Sequence, residues 1–248
     1  MNHCIFIMAG GLGKRMKSDL PKVLHKIAGI PMLVRVIQES IKTKPYKIFV
    51  VVGKYKDVIE KTLLEYDILK NIEFIVQNPA LGTGHTLMCA VDQLKLCHNK
   101  SLVVLSGDVP LIKSDFIEKI ISSNESEVIL VTKNSENPYG YGRIVTKDDT
   151  FIKIVEEKDS SEEEKKIKTV NCGIYCYPVK GILDNIMKLK NNNAQQEYYI
   201  TDLVKILQDD KFNIKMYLVD KENEYQTEGV NDPIQLKKLE DQFYNLNK

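Results

Sequence analysis

Three stretches of the chain carry residues whose type and spacing suit the handling of phosphate and a hard cation. The first reads Met8-Ala9-Gly10-Gly11-Leu12-Gly13-Lys14-Arg15-Met16. Its glycines let the backbone turn tightly and bring N–H groups against an anion. Arg15 adds a forked donor of fixed charge for phosphate oxygens. The plainer alternative is a glycine-rich turn with a solvated arginine. Two well-known phosphate loops are excluded. A G-x-x-x-x-G-K-[ST] loop would need glycine at Met8 and Ser or Thr at Arg15. A G-x-G-x-x-G fingerprint fails at Met16, and no acidic residue closes the second strand, which runs into Val52-Gly53-Lys54. Asp19-Leu20-Pro21-Lys22 follows, where Pro21 stiffens the loop that presents Lys22. Lys22 and Arg15 on one long loop suit a paired cationic site, with a solvated lysine as the alternative.

The second stretch is Gln77-Asn78-Pro79-Ala80-Leu81-Gly82-Thr83-Gly84-His85. Gln77 offers both a donor and an acceptor, as a base edge requires. Gly82 and Gly84 permit close approach, and Thr83 is placed to cap the next helix. A pure turn-and-cap role is the alternative, and His85 is expected to be structural. The third stretch is Ser106-Gly107-Asp108-Val109-Pro110. An aspartate directly after a buried apolar strand suits a hard cation, with an Asx turn as the alternative.

These stretches need elements to hold them. Short apolar runs at 4–8, 48–52, 72–76, 102–105 and 128–131 alternate with helical spacings at 31–41, near 58–63, 86–96 and 116–121. Alternation of this kind implies right-handed crossovers and a mostly parallel sheet, whose ligands gather beyond the carboxyl ends of its strands. Farther on, 143–147 and 151–157 read as a hairpin around Asp148-Asp149, and 170–177 as another strand, together an added antiparallel sheet. Residues 160–168 read as a charged helical segment, 199–207 as a helix, 214–219 as a strand and 233–246 as a closing helix. The expected division is one domain over 1–248. Residues 1–135 would form mainly a nucleotide-binding lobe, 136–230 mainly a sugar-binding lobe and 231–248 the closing helix.

Composition bounds the function. The 248 residues hold 35 Lys+Arg against 34 Asp+Glu, a net charge of +1. This balance argues against a general nucleic-acid or membrane-surface binder. No apolar run reaches the roughly 18–20 residues of a membrane span, and the start lacks a signal-peptide pattern. Five cysteines without C-x-x-C point to a reducing compartment, so a cytoplasmic protein is expected. Cys172 and Cys176, an even step apart, would share one strand face as buried packing.

Taken together, the loops resemble those of the sugar-1-phosphate nucleotidyltransferases, above all the N-terminal uridylyltransferase domain of the bifunctional bacterial enzymes that make UDP-N-acetylglucosamine. The resemblance runs in order along nearly the whole chain. It continues from the stretches above through Tyr139-Gly140-Tyr141-Gly142-Arg143, Val155-Glu156-Glu157-Lys158, Asn171-Cys172-Gly173, Glu197-Tyr198-Tyr199-Ile200-Thr201-Asp202 and Glu228-Gly229-Val230-Asn231.

The resemblance implies an α/β fold, a Rossmann-like mostly parallel sheet with helices on both faces and a small antiparallel sugar-binding lobe. It implies UMP transfer from UTP to N-acetylglucosamine 1-phosphate, giving UDP-N-acetylglucosamine and pyrophosphate. Arg15 and Lys22 would act on the phosphates. Met8, Ala9, Gly10, Gly11, Gln77, Gly82, Thr83, Ser106 and Gly107 would contact the nucleotide, and Gly142, Glu156 and Asn171 the sugar. Asp108 and Asn231 would ligate Mg²⁺. Lys14 stands where the family carries Thr or Ser and is expected to be tolerated, since it adds charge beside a polyphosphate. No hexapeptide repeat is present, so neither acetyl transfer nor a β-helix-driven trimer is expected. Another sugar phosphate or pyrimidine nucleotide, or a non-catalytic nucleotide-sugar sensor, are the competing readings.

Overall fold

A computed structural model describes residues 2–70, 72–123 and 127–247. The chain opens with β1 (His3–Met8), then two 3-10 turns, Lys14–Met16 and Lys22–Leu24, and the two-residue strands β2 (Lys26–Ile27) and β3 (Ile30–Pro31). Next come α1 (Met32–Lys42), β4 (Ile48–Val52), α2 (Lys56–Glu65), β5 (Ile72–Val76), α3 (Thr83–Met88), α4 (Val91–Lys95), β6 (Ser101–Ser106), α5 (Ser114–Ser122) and β7 (Val128–Asn134). The hairpin β8 (Arg143–Lys147) and β9 (Thr150–Val155) leads to β10 (Thr169–Pro178), α6 (Val179–Asn185), α7 (Ile200–Asp209), β11 (Ile214–Leu218) and α8 (Pro233–Leu246).

The main sheet runs β11-β7-β10-β6-β1-β4-β5. Every pair in it is parallel except those made by β10, which is antiparallel to both β6 and β7. Side chains alternate across the sheet. Ile5, Ile7, Val50, Val103 and Leu105 pack with Leu33, Ile37, Ile59, Phe116 and Ile120 from α1, α2 and α5. Cys4, Phe6, Phe49, Val51, Leu102 and Val104 face the other way, onto Leu87, Leu94, Ile182, Leu203 and Val204 from α3, α4, α6 and α7. With both faces covered, β4 is apolar throughout, and β1 and β6 are apolar apart from His3, Ser101 and Ser106 at their ends, instead of alternating. The chain leaves β1 toward β4 on one side and later returns as β6 on the other. Two loops therefore diverge at the carboxyl ends of β1 and β6 and leave a crevice there. Among the described residues no helix is long and apolar enough to cross a membrane.

Three local expectations change. The strand assigned to an added antiparallel sheet, β10, lies inside the main one, between β6 and β7. Its register shifts between Asn171 and Tyr175, around Gly173 at φ +70°. This irregularity lets its first half also pair with β8 while its second half pairs with β6. The hairpin β8–β9 thus branches from the main sheet, and Asp148 and Asp149 turn it at positive φ (50° and 58°). The helix expected over 86–96 is two short ones, α3 and α4. The charged segment 160–168 holds only a 3-10 turn at Glu164–Lys166. There Ser161 and Glu164 exchange side-chain-to-backbone bonds (2.9 and 3.2 Å), and Lys153 on β9 pins Glu164 at 2.8 Å. The chain is tied down over the hairpin and enters β10 before a helix can lengthen.

Candidate active site

At the end of β1, Ala9 N–H donates to Val51 O (2.9 Å), so the chain stays beside β4 for one more residue. Gly10 then approaches Gly53 closely. A Cβ on Gly53 would stand 3.2 Å from Gly10 O, and one on Gly10 3.4 Å from Gln77 Oε1. Gly13 adopts φ +60°, and a Cβ there would lie 2.6 Å from Lys22 Cβ. The glycine-rich loop can therefore fold back onto the 3-10 turn that presents Lys22, a turn that Pro21 opens.

Lys22 joins three distant segments. Its Nζ makes a short ion pair with Asp108 Oδ2 and donates to Asn231 Oδ1 at 3.2 Å. The Lys22 and Asp108 side chains are about 15% exposed. Ser106 Oγ, at the end of β6, donates to the other carboxylate oxygen, Asp108 Oδ1, at 2.6 Å. Val230 N–H donates to Asp108 O (2.9 Å), which brings Asn231 alongside. Gln235 Oε1, on α8, accepts from Asn231 N–H at 2.7 Å, and Asp232 caps that helix through Gln235 N–H.

On the opposite wall, Gln77 Nε2 donates to Gly82 O at 2.8 Å and lies 3.3 Å from His85 Nδ1. His85 stacks on Tyr198, in keeping with its expected structural role. Gly82 has φ +107°, and a Cβ there would fall 2.6 Å from Tyr198 O. Only glycine allows the approach that lets Gly84 N–H donate to Tyr198 O (2.7 Å) and Tyr198 N–H to Leu81 O (2.8 Å).

The walls enclose a cleft of about 440 Å³. Met8, Ala9, Gly10, Gly11, Gln77, Gly82, Thr83, Ser106, Lys22 and Asp108 line it, as expected of a shared pocket. Four expected residues behave differently. Gly107 does not line the cleft; it is a packing glycine, whose Cβ would press Leu33 and Val23 at 3.1 and 3.3 Å. Thr83 does not cap α3. Its Oγ1 accepts from Ile200 N–H at 3.0 Å and so serves the start of α7, while Gly82 precedes α3 with no side-chain cap. Arg15 is exposed on its 3-10 turn and does not line the cleft. Asn231 does not line the cleft and is joined to it through the Lys22 ammonium. Leu12, Val23, Ala80, Thr86 and Glu197 line the cleft without having been expected. Glu197 ends no strand, so a search of strand ends misses it; the Glu197-Tyr198-Tyr199 segment was its only signal.

Gly142, Glu156 and Asn171 do come together. Asn171 N–H donates to Gly142 O at 2.9 Å, and a Cβ on Gly142 would meet Ile154 at 2.9 Å and the Glu156 carboxylate at 3.6 Å. Burial pushes the Glu156 carboxyl up; Thr201 Oγ1, donating at 2.9 Å, opposes this, and Asp202, Asp159 and Glu197 add to it. Asn171 Nδ2 donates to Tyr175 OH at 2.7 Å and its Oδ1 accepts from Gly173 N–H at 3.0 Å, which fixes the amide.

The donor set fits a hard divalent cation. Asp108 and Asn231 turn one anionic and one neutral oxygen toward a single point, and a positive group, the Lys22 ammonium, stands there. Among the described residues no cluster of three or more His, Cys, Asp or Glu could hold a metal by itself. A metal here would take its remaining ligands from water and substrate.

The model of the nucleotidyl transferase family matches residues 5–223. A probable UDP-N-acetylglucosamine pyrophosphorylase of Acanthamoeba polyphaga mimivirus is 39% identical over 97% of this chain and 96% of its own. The bifunctional protein GlmU of Fervidobacterium nodosum is 44% identical over 95% of this chain and 49% of its own, so the chain spans about half the length of that relative. Among solved structures, a UDP-glucose pyrophosphorylase complexed with UDP-glucose overlays with a TM-score of 0.75 at 17% identity, covering 99% of this chain and 100% of that one. A putative glucose-1-phosphate thymidylyltransferase from Bacillus anthracis overlays at 0.73 and 19% identity, covering 96% and 94%.

Proposed function

The chain belongs to the nucleotidyl transferase family, and from that premise we propose that it transfers UMP from UTP to N-acetylglucosamine 1-phosphate, releasing pyrophosphate. The observation that carries this reading is that Lys22, which binds Asp108 and Asn231, lines one cleft with Asp108, the glycine-rich loop, Gln77 and Gly82.

Both reactants are anions. A dianionic sugar phosphate about 4 Å from one charge on the α-phosphate is repelled by roughly 8 kcal/mol at an effective dielectric of 20. The attacking oxygen is already ionised, so no side-chain base is required. The protein's work is alignment and charge compensation. Lys22 supplies a partly desolvated positive charge in the cleft wall. The Ala9 N–H is held by Val51 O, so the N–H groups of Gly10 and Gly11 would meet the phosphates, with Arg15, exposed on the neighbouring 3-10 turn, adding positive charge from outside the cleft. Gln77 keeps Oε1 for the uracil edge while its Nε2 holds the Gly82 turn. Gly142, Glu156 and Asn171 receive the sugar, where the absence of a side chain at 142 lets the chain pass close to Ile154 and the Glu156 carboxylate. Asp108 and Asn231 would hold Mg²⁺, which neutralises polyphosphate charge when bound. Ser106 holds the Asp108 carboxylate in the required orientation.

A pyrophosphate-release assay over a grid of nucleoside triphosphates and sugar 1-phosphates tests the reading. UTP with N-acetylglucosamine 1-phosphate should be the preferred pair, and Asp108→Ala or Arg15→Ala should lower turnover more than tenfold with the fold intact. Wild-type turnover in either folded variant removes that residue's role. Preference for another pair reassigns the substrate, and UDP-sugar binding without turnover identifies a sensor.

A further inference from the structure

Lys133, on β7, is the most deeply buried lysine of the described chain, with 3% of its side chain exposed, and none of the roles above uses it. Its Nζ donates to Glu228 Oε1 at 2.5 Å and to Tyr141 OH at 3.5 Å, and it lies 5.0 Å from the centre of the Tyr141 ring. Burying an ammonium is costly, and an apolar side chain of similar volume would fill the same space at no such cost. A buried ion pair of this kind adds little net stability, so fold maintenance alone does not account for it.

Its two partners belong to the two halves of the candidate site. Glu228 begins the segment Glu228-Gly229-Val230-Asn231. Val230 N–H in that segment bonds Asp108 O, and its last residue presents Oδ1 to the cation position. Gln235, which accepts from Asn231 N–H, lines the same cavity as Lys133, Tyr141 and Glu228. Tyr141 directly precedes Gly142, whose carbonyl accepts from Asn171 N–H in the sugar subsite. One ammonium thus reaches the base of both loops from β7, a strand paired on both sides by β10 and β11.

We propose that Lys133 is a positioning residue, which ties the loop bearing Asn231 to the loop bearing Gly142 so that the cation-holding and sugar-holding halves of the site keep a fixed spacing. This rests on the nucleotidyltransferase reading of the cleft. A neutral replacement frees both loops, Asn231 Oδ1 loses its placement beside Asp108, and the sugar phosphate no longer meets the nucleotide in line. The charge of Lys133 matters because its ammonium is the counter-ion of the Glu228 carboxylate while it also donates to the Tyr141 phenol.

The test compares the wild type with Lys133→Met, Lys133→Arg, Glu228→Gln and the double variant Lys133→Met/Glu228→Leu. The double variant replaces the pair with apolar volume. Mn²⁺ binding with and without UTP is followed by electron paramagnetic resonance, and turnover is measured as a function of Mg²⁺ and sugar phosphate. The expected results for Lys133→Met are at least tenfold weaker Mn²⁺ binding in the presence of UTP and an at least tenfold higher KM for sugar phosphate. UTP affinity without metal should stay within twofold. Lys133→Arg should recover part of the loss, and the double variant should keep wild-type thermal stability while losing metal and sugar affinity. If Lys133→Met does not fold, Glu228→Gln, at a position 31% exposed, carries the same measurement. Wild-type Mn²⁺ and sugar-phosphate dependence in a folded variant overturns the assignment. A wild type whose Mn²⁺ binding UTP does not strengthen, and which releases no pyrophosphate, overturns the reading of the cleft and the assignment with it.

Discussion

Replacing Lys22 with methionine should move two measurable quantities in opposite directions. The Lys22 ammonium stands between Asp108 Oδ2 and Asn231 Oδ1, the two oxygens expected to hold a divalent cation. Ammonium and metal therefore compete for one position. A charge-assisted hydrogen bond contributes about 1.5–3 kcal/mol, which corresponds to roughly a 10- to 150-fold effect. Nucleotide-free Lys22→Met should bind Mn²⁺ tighter by about that factor, as read from the free-Mn²⁺ resonance signal. Turnover should fall. A cation about 4 Å from one phosphate charge is worth roughly 4 kcal/mol at an effective dielectric of 20, an upper limit near a thousandfold, and a loss of about 10²–10³ is expected. Methionine keeps the stem that packs against Gly13, so the fold should survive. A merely disruptive substitution would weaken both quantities. Unchanged or weaker Mn²⁺ binding in a folded Lys22→Met refutes the shared-position reasoning.

Gly82→Ala should destabilise the protein by about 2–4 kcal/mol, because its Cβ would meet Tyr198 O at 2.6 Å and its φ is +107°. The corresponding fall in melting temperature is roughly 5–15 °C, read by thermal denaturation, with loss of nucleotide binding. Burial holds the Glu156 carboxyl above its ordinary range of about 4.5. The folded state then binds the proton more tightly than the unfolded state. This contribution to stability is full below the ordinary carboxylate pKa and is lost as pH rises through the folded-state value. Glu156→Gln should remove that part of the pH dependence and be more stable than the wild type at neutral pH. It should also raise KM for sugar phosphate about tenfold or more, through the loss of a charged hydrogen-bond acceptor. Ser106→Ala, which frees Asp108 Oδ1, should weaken Mn²⁺ binding several-fold while leaving UTP binding without metal unchanged. Equal metal affinity in the variant removes Ser106 from that role.

The sequence by itself determined the α/β class, because hydrophobic period and chain order are local properties. Five apolar runs matched β1, β4, β5, β6 and β7 to within a few residues, and the closing helix was read at its full extent. It also pointed to the loops that line the cleft, since glycine beside lysine, glutamine or aspartate follows β1, β5 and β6. Tertiary structure decided the rest, because strand partners and side-chain directions depend on residues far along the chain. No local signal placed β10 antiparallel in the middle of the sheet, where an irregularity at Gly173 lets one strand serve both β8 and β6. Gly107 has the same local context as the cleft residues around it, and the packing of Leu33 is what keeps it out of the cleft. Thr83 does line the cleft, and the arrival of Ile200 is what takes its hydroxyl away from capping α3. Lys22 meets Asp108 across 86 positions and Asn231 across 209, and Lys133 meets Glu228 across 95. Such pairings emerge only when the strands have stacked, because a charge finds its partner through the fold and not along the chain.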